Sequence, residues 1–176
     1  VRDLASWMVG RDVGAAAARE YRRDLCGEAL KVENLWVDMP GETVRDVSFS
    51  VCEGEIFGIG GLAGQGKLGI PNGIMGLFAA GGRVFLHDAE VPLDMPKAAL
   101  DAGMAFVSED RRGVGIMPEE SIELNMVLPA IRVQRRFLRR YLPGLELLNQ
   151  PEVRGHANRM IQELDVRTTG ATQSVG

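Results

Sequence analysis

A chain of 176 residues is long enough for one domain with a full hydrophobic core and short for two. Its hydrophobic content of 45% and charged content of 25% match an ordinary globular protein and exclude disorder for most of the chain. The 20 Lys and Arg residues are outnumbered by 24 Asp and Glu residues, which gives a net charge of -4; nucleic-acid-binding domains usually carry a basic excess, so no nucleic-acid partner is expected.

Metal and membrane signals are absent from the sequence. Cys26 and Cys52 have no second Cys or His at metal-ligand spacing, so no metal site is predicted. No apolar run approaches the ~18 residues that suggest a membrane span, and the N-terminus lacks the regions of a signal peptide. Any role at a membrane is therefore expected from the cytoplasmic side, through a partner.

The first predicted elements are two strands. Residues 14–29 show no strand alternation and carry mixed charge, which indicates a linker or a loosely held helix, so the folded domain is predicted to begin near Leu30. From there, β-rich runs over residues 30–37 and 44–52 flank the turn-forming residues 39–42. This order predicts an antiparallel pair.

A glycine-rich loop follows the strand pair. Residues 56–60 form a short apolar run, typical of a buried strand, that leads straight into the loop, and a helix is predicted over residues 67–78. The interior of this helix contains residues that weaken helices: Gly69, Pro71, Gly73 and Gly76. Because each glycine costs roughly 1 kcal/mol relative to Ala, the helix is expected to depend on tertiary packing or on a ligand at its start.

The next elements alternate in type. Residues 83–87 and 104–108 are strand candidates, and residues 96–102 between them form a helical stretch. A strand, a helix and a second strand in this order are typical of an α/β fold.

The C-terminal third is predicted to be helical. Ser121 caps a short helix that ends before Pro129, residues 131–142 form an amphipathic helix, and residues 152–164 form the last helix. We interpret the arginines of the middle helix as its solvated face, although they also suit an acidic partner or lipid headgroups. They are Arg132, Arg135, Arg136, Arg139 and Arg140.

The loop itself matches a phosphate-binding motif. It reads Gly61-Leu62-Ala63-Gly64-Gln65-Gly66-Lys67-Leu68 and fits G-x-x-x-x-G-K-[ST] at seven of eight positions. Glycines allow backbone N–H groups to approach phosphates closely, and Lys67 would hold the β- and γ-phosphates. The last position departs from the motif, because Leu68 has no hydroxyl to ligate the Mg²⁺ that bridges these phosphates.

Two other interpretations of the same residues stay open. In one, the glycines only allow a tight turn from a strand into a closely packed helix. In the other, residues 64–69 satisfy G-x-G-x-x-G and Asp88 follows at a later strand end, as in a dinucleotide-binding fold. Against the second interpretation, two antiparallel strands precede the loop, whereas a dinucleotide-binding unit normally starts with the strand that feeds the glycines.

Several segments together resemble the second nucleotide-binding domain of bacterial sugar-import ABC ATPases. They are Asn34-Leu35, VRDVSFSV over residues 44–51, Gly54-Glu55-Ile56, the loop GLAGQGK, AFVSEDRR over residues 105–112, and Met8-Val9-Gly10-Arg11, which resembles the end of the first domain. The resemblance implies an α/β P-loop fold of the ABC ATPase type. It divides the chain into a tail of the preceding domain (1–13), a linker (14–29), a strand and P-loop core (30–112) and an incomplete helical subdomain (113–176).

The resemblance also assigns site residues. Residues 61–68 would bind ATP with Mg²⁺, Glu109 stands where most ABC domains have the Q-loop glutamine, and Trp36 is the aromatic residue available to stack on adenine. A carboxylate at position 109 can still ligate a metal but repels an unshielded phosphate. No catalytic residue and no protein metal ligand is assigned.

The function implied by the resemblance is ATP binding and hydrolysis coupled to uptake of a sugar or nucleoside. The expected partners are a second nucleotide-binding domain and permease subunits contacted through the helical subdomain, at the cytoplasmic face of the inner membrane. Because the family's signature motif and Walker B carboxylates would follow Gly176, the chain by itself is expected not to hydrolyse ATP. The alternatives are a non-hydrolysing regulatory half and a dinucleotide-binding oxidoreductase domain.

Overall fold

The structure is a computed structural model that describes residues 27–176. The predicted tail and nearly all of the predicted linker lie outside these residues. The first strand begins at Glu28, slightly before the predicted start of the folded domain at Leu30.

An antiparallel sheet forms the first half of the described chain. Its strands are β1 (Glu28–Val37), β2 (Val44–Cys52), β3 (Ala80–Leu86) and β4 (Ala89–Glu90), in the spatial order β2-β1-β3-β4. All neighbouring strands are antiparallel. The predicted pairing of the first two strands is therefore confirmed, and the strand predicted over residues 83–87 starts earlier, at Ala80.

The main hydrophobic core lies between this sheet and a short helix, α1 (Gly69–Ile74). Ile70 and Ile74 of the helix join buried residues of the sheet, which are Val32, Leu35, Val37, Val44, Ala80 and Val84. The helix approaches β1 so closely that a Cβ on Gly73 would lie 2.3 Å from Val37 Cγ2. A glycine that costs helix propensity is needed here for packing.

Helix α1 is shorter than the predicted helix over residues 67–78. Gly76 has φ +72°, in the left-handed region where a side chain is strained, and a Cβ there would lie 2.7 Å from the backbone N of Met95. The chain therefore leaves the helix before Gly76. The next helix, α2 (Pro96–Asp101), agrees with the predicted helical stretch over residues 96–102.

Two predicted strands are not found. Residues 56–60 and 104–108 pair with no strand in the described part of the chain, and Ile56 and Val107 are 90% and 96% exposed. Both segments line one apolar cleft of about 350 Å³ beside α1. The predicted burial of residues 56–60 is also wrong, because all five are exposed. A strand needs a hydrogen-bonding neighbour as well as an apolar sequence, and the described residues supply none.

The C-terminal part begins with α3 (Ile122–Gln134). The predicted cap is confirmed, because Ser121 Oγ accepts a hydrogen bond from Leu124 N at 3.3 Å. The predicted end before Pro129 is wrong, since the helix continues through this residue. Packing offsets the backbone hydrogen bond that proline cannot donate: Val127 is fully buried, and Ile131 packs against the same cluster.

The predicted amphipathic helix over residues 131–142 is also wrong. The chain leaves α3 at Arg135, which has φ 51°, and forms a hairpin of β5 (Leu138–Leu142) and β6 (Leu145–Leu148). Phe137 turns into the core at 3% exposure instead of continuing a helical face. The arginines assigned to one helix face are therefore divided between α3, the connection after it and the hairpin.

The last helix, α4 (Gln150–Glu163), agrees with the predicted helix over residues 152–164 apart from its ends. Val153 packs with Val127 and Phe137 in a second core. Arg154 of α4 donates two hydrogen bonds, at 3.0 and 3.1 Å, to the buried carboxylate of Glu123 in α3. Within residues 27–176, no helix is long and apolar enough to cross a lipid bilayer.

Candidate functional site

The glycine-rich loop, residues 61–68, connects the irregular segment 56–60 to α1. Gly64 and Gly66 have φ +79° and +84°, which other residues adopt only with strain. Most of the loop faces solvent and Leu62 is 80% exposed, but Gly66 is buried. The loop thus turns through two left-handed glycines, and most of its residues are exposed.

The β1–β2 turn, residues 39–43, packs directly on this loop. A Cβ on Gly66 would lie 2.9 Å from the carbonyl O of Thr43, and one on Gly69 would lie 2.1 Å from that of Glu42. Close packing is thus a reason for these two glycines, as the first alternative interpretation proposed. It does not account for Gly64, whose nearest neighbour on the turn would be 3.4 Å away.

Glu42, in this turn, is a site residue that the sequence analysis missed. Its carboxylate is buried, at 7% exposure for the residue, and Oε1 accepts a hydrogen bond from Gly64 N at 2.7 Å. Oε2 accepts a longer one from Leu68 N at 3.4 Å. The two oxygens therefore connect backbone donors from the middle and the end of the loop.

These contacts lower the pKa of the Glu42 carboxyl below its usual range. The Gly64 N–H is the largest cause, burial opposes it, and the N–H groups of Leu68 and Gly66 and the charge of Lys67 lower the pKa further. The loop therefore stabilises an anion with convergent backbone N–H groups, which is the arrangement that also binds phosphate oxygens.

Lys67 closes the loop on itself. Its Nζ donates a hydrogen bond to the carbonyl O of Gly61 at 3.2 Å, and the side chain is half-buried. Leu68 is also half-buried and offers no oxygen from its side chain. The loop thus presents one cation and several N–H groups to an anion, but no side-chain ligand for Mg²⁺ at its last position.

The other predicted site residues lie elsewhere. Trp36 of β1 is 49% exposed, and its indole covers Gly81 so closely that a Cβ there would lie 2.1 Å from Trp36 Nε1. Glu109 is exposed, in the bend before Asp110. Among residues 27–176, no hydrogen bond or ion pair joins Trp36 or Glu109 to the loop.

Asp110 has a local structural role. Its carboxylate accepts a hydrogen bond from Gly113 N at 2.8 Å, at the start of a π-helical turn (Arg111–Gly115). In the described part of the chain, no group of three or more His, Cys, Asp or Glu side chains is arranged to hold a metal ion.

The Glu42 contact predicts a pH-dependent contribution to stability. Because the carboxyl pKa is lower in the folded chain than its ordinary value of 4.5, the stabilisation is full above that pH and is lost as pH falls through the folded-state pKa. Glu42→Gln should therefore lower the urea-unfolding midpoint at pH 7, and the difference from the unchanged chain should shrink at pH 3.5.

The matched control is Asp38→Asn, which removes an exposed carboxylate close by in the sequence. This variant should keep the unfolding midpoint of the unchanged chain at pH 7. If Glu42→Gln lowered the urea-unfolding midpoint by the same amount at pH 7 and at pH 3.5, the charge of the carboxylate would not be the cause of the destabilisation.

Comparison with known proteins gives a consistent set of relatives. The chain is 33% identical over 150 residues to the ribose import ATP-binding protein RbsA of Chelativorans sp. (strain BNC1), and the aligned region covers 81% of this chain and 29% of that protein. It is 31% identical over 178 residues to RbsA of Caldanaerobacter subterraneus subsp. tengcongensis, and this alignment covers 98% of the chain and 33% of the relative. It is 36% identical over 130 residues to the D-allose import ATP-binding protein AlsA of Escherichia coli (strain K12), covering 72% and 25%.

The alignments cover most of this chain but only part of each relative. The chain spans about a quarter to a third of the length of these curated proteins. No protein-family model matches the chain.

Proposed function

The chain is homologous to the ATP-binding proteins of sugar-import ABC transporters, and its fold class is that of their α/β P-loop domains; from this premise we propose that it binds ATP through residues 61–68. The observation that carries the proposal is the convergence of loop N–H groups on one carboxylate, with Gly64 N only 2.7 Å from Glu42 Oε1. A β- or γ-phosphate oxygen needs the same kind of donors. The Lys67 ammonium adds the positive charge that a phosphate requires.

Each residue of the loop contributes to the proposed site. Gly61, Leu62 and Ala63 lead into the loop, and the N–H groups of Gly64 and Gly66, which now face Glu42, are proposed to bind the phosphates together with that of Gln65. Lys67 leaves the Gly61 carbonyl and turns to the phosphates, and Leu68 contributes its backbone N–H. A nucleoside triphosphate supplies the transferable phosphoryl group, and the loop binds and orients it.

Within the residues that the structure describes, Trp36 and Glu109 do not bond to the loop, and we propose them as residues that contact the ends of a bound nucleotide. We propose that the exposed half of the Trp36 indole is available to stack on adenine, since the other half already covers Gly81. Glu109 is proposed to meet the γ-phosphate only when a cation shields it, because an unshielded carboxylate would repel the phosphate.

The role proposed for the longer protein is that of its relatives: ATP binding and hydrolysis coupled to import of a sugar, at the cytoplasmic face of the inner membrane. A second nucleotide-binding domain and permease subunits are the proposed partners. The permease contact is proposed for the part of the chain formed by α3, α4 and the hairpin. Residues 30–112 and 113–176 are proposed as the core and the helical subdomain.

Leu68 is expected to limit the use of Mg²⁺. We predict that Leu68→Ser raises affinity for ATP in the presence of Mg²⁺ but not in its absence, because the new hydroxyl can ligate a cation that bridges the β- and γ-phosphates. Calorimetric titrations with Mg²⁺ and with a chelator measure this. Equal gains under both conditions would contradict the assignment of the missing hydroxyl as the defect.

The proposal is tested by titrating the chain with ATP and, separately, with NAD. Binding of ATP alone is the expected result, and preference for NAD would instead support the dinucleotide-binding alternative. The all-antiparallel pairing of the described sheet already disfavours that alternative. A regulatory half is distinguished in the longer protein, where changing Lys67 would leave ATP hydrolysis intact.

A further inference from the structure

The carboxylate of Glu42 lies where the proposed site would place an anion. It reaches the loop from a different part of the chain, 22 residues before Gly64 and 26 before Leu68. The bond to Gly64 N, at 2.7 Å, has the short length typical of a hydrogen bond to a charged acceptor. The contact is therefore a specific tertiary interaction and not a feature of the loop alone.

The same donors cannot serve two anions at once. A backbone N–H carries one hydrogen, so the Gly64 and Leu68 donors bound to Glu42 are not free for phosphate oxygens. A phosphate placed beside the Glu42 carboxylate would also be repelled by its charge. Binding of phosphate thus requires the carboxylate to leave.

The turn that carries Glu42 is built so that the side chain can leave without unfolding. The backbone is held by Glu42 N, which donates to the carbonyl O of Met39 at 3.0 Å, and by the packing of the Glu42 carbonyl against Gly69. Neither contact involves the carboxylate. The flanking residues Gly41 and Thr43 are exposed, so solvent is close to the side chain.

We propose that the Glu42 side chain competes with phosphate for the binding site of the loop. Its carboxylate accepts hydrogen bonds from the backbone N–H groups of Gly64 and Leu68, and it is displaced when a nucleotide binds. The inference rests on the function proposed above. It adds a residue that sets the affinity of the site, because the apparent affinity falls with the fraction of molecules in which the donors are free.

The test compares the complete chain with two Glu42 variants by calorimetric titration with inorganic phosphate and with ATP. Glu42→Gln removes the charge, and we expect it to bind both ligands about tenfold more tightly, as for a donor set free in only about a tenth of the unchanged molecules. Glu42→Asp keeps the charge but shortens the side chain by one methylene, so its carboxylate no longer spans both donors. It should also bind more tightly than the unchanged chain, and it tests the proposal if Glu42→Gln does not fold.

The control is Asp38→Asn, which removes the same charge from the exposed side chain of Asp38 and should leave both affinities unchanged. Equal or weaker binding by the folded Glu42 variants, with measurable binding by the unchanged chain, would overturn the competitor role and leave the proposed function standing. An equal gain in Asp38→Asn would overturn it as well, since net charge would then explain the effect. No binding of either ligand by any variant would overturn the proposed function together with this inference.

Discussion

Replacing Gly69 with Ala is expected to destabilise the chain by about 3 kcal/mol, at the upper end of the usual cost of overpacking. A Cβ at this position would lie 2.1 Å from the carbonyl O of Glu42 and 2.8 Å from Val44 Cγ2. The nearer neighbour is a backbone atom, so the β1–β2 turn has to move and cannot simply change a rotamer. Because small domains are stable by only about 5–15 kcal/mol, the urea-unfolding midpoint should fall sharply.

The matched control is the same substitution at Gly155. This glycine lies within α4, and a Cβ there would meet nothing within 4 Å beyond its chain neighbours and the adjacent backbone of its own helix. Gly155→Ala should therefore stabilise the chain by about 1 kcal/mol, through helix propensity alone. Two glycine-to-alanine changes are thus expected to have opposite signs, and a Gly69→Ala midpoint at or above that of the unchanged chain would show that the turn does not pack on α1 as described.

Replacing Lys67 with Ala is expected to reduce the affinity for ATP about 10- to 100-fold, the cost of losing a hydrogen bond to a charged group of about 1.5–3 kcal/mol. Among residues 27–176, Lys67 Nζ donates a hydrogen bond to one carbonyl, that of Gly61, at 3.2 Å. Exchanging this neutral acceptor for a phosphate is favourable, so the side chain stabilises the complex more than the free chain. Calorimetric titration with ATP measures the change.

Lys97→Ala serves as the control for lost charge. Lys97 is exposed in α2, and its Nζ lies 4.0 Å from Oδ2 of Asp101, one helical turn away. It should bind ATP as the unchanged chain does. If both lysine variants lost affinity equally, the general charge of the chain and not the loop lysine would govern binding.

Local signals predicted much of the fold. The turn at residues 39–42 between two β-rich runs gave the antiparallel pair, and a serine before an apolar run gave the cap of α3. The last helix was predictable because Val153 and Ala157 recur at helical spacing on its buried face. In each case the determining residues are neighbours in sequence.

Pairing partners and packing could not be predicted in this way. Apolar composition over residues 56–60 and 104–108 indicates burial, but it does not tell whether another strand lies alongside. The hairpin after α3 did have a local signal, Pro143-Gly144, with Gly144 at φ +82°. The helical spacing of apolar residues over 131–142 is a competing signal, and it predicts a helix there instead.

In the candidate site, too, the local motif was predictable and the tertiary contact was not. The motif over residues 61–68 predicted a glycine-rich loop before the helix, and the structure adds that Gly64 and Gly66 are left-handed. The contact with Glu42 was not predictable, because it joins residues 22 and 26 positions apart across the β1–β2 pair. From the sequence, Glu42 was predicted only to form part of the turn between the first two strands.

The central claim is that residues 61–68 bind the phosphates of ATP, and amide chemical shifts of the isotopically labelled chain test it most directly. During titration with ATP, the largest shift changes should occur at Gly64, Gly66 and Leu68, whose N–H groups now face Glu42. The same titration with NAD should change these shifts less. The absence of shift changes in residues 61–68 at saturating ATP, or changes confined to another part of the chain, would contradict the claim.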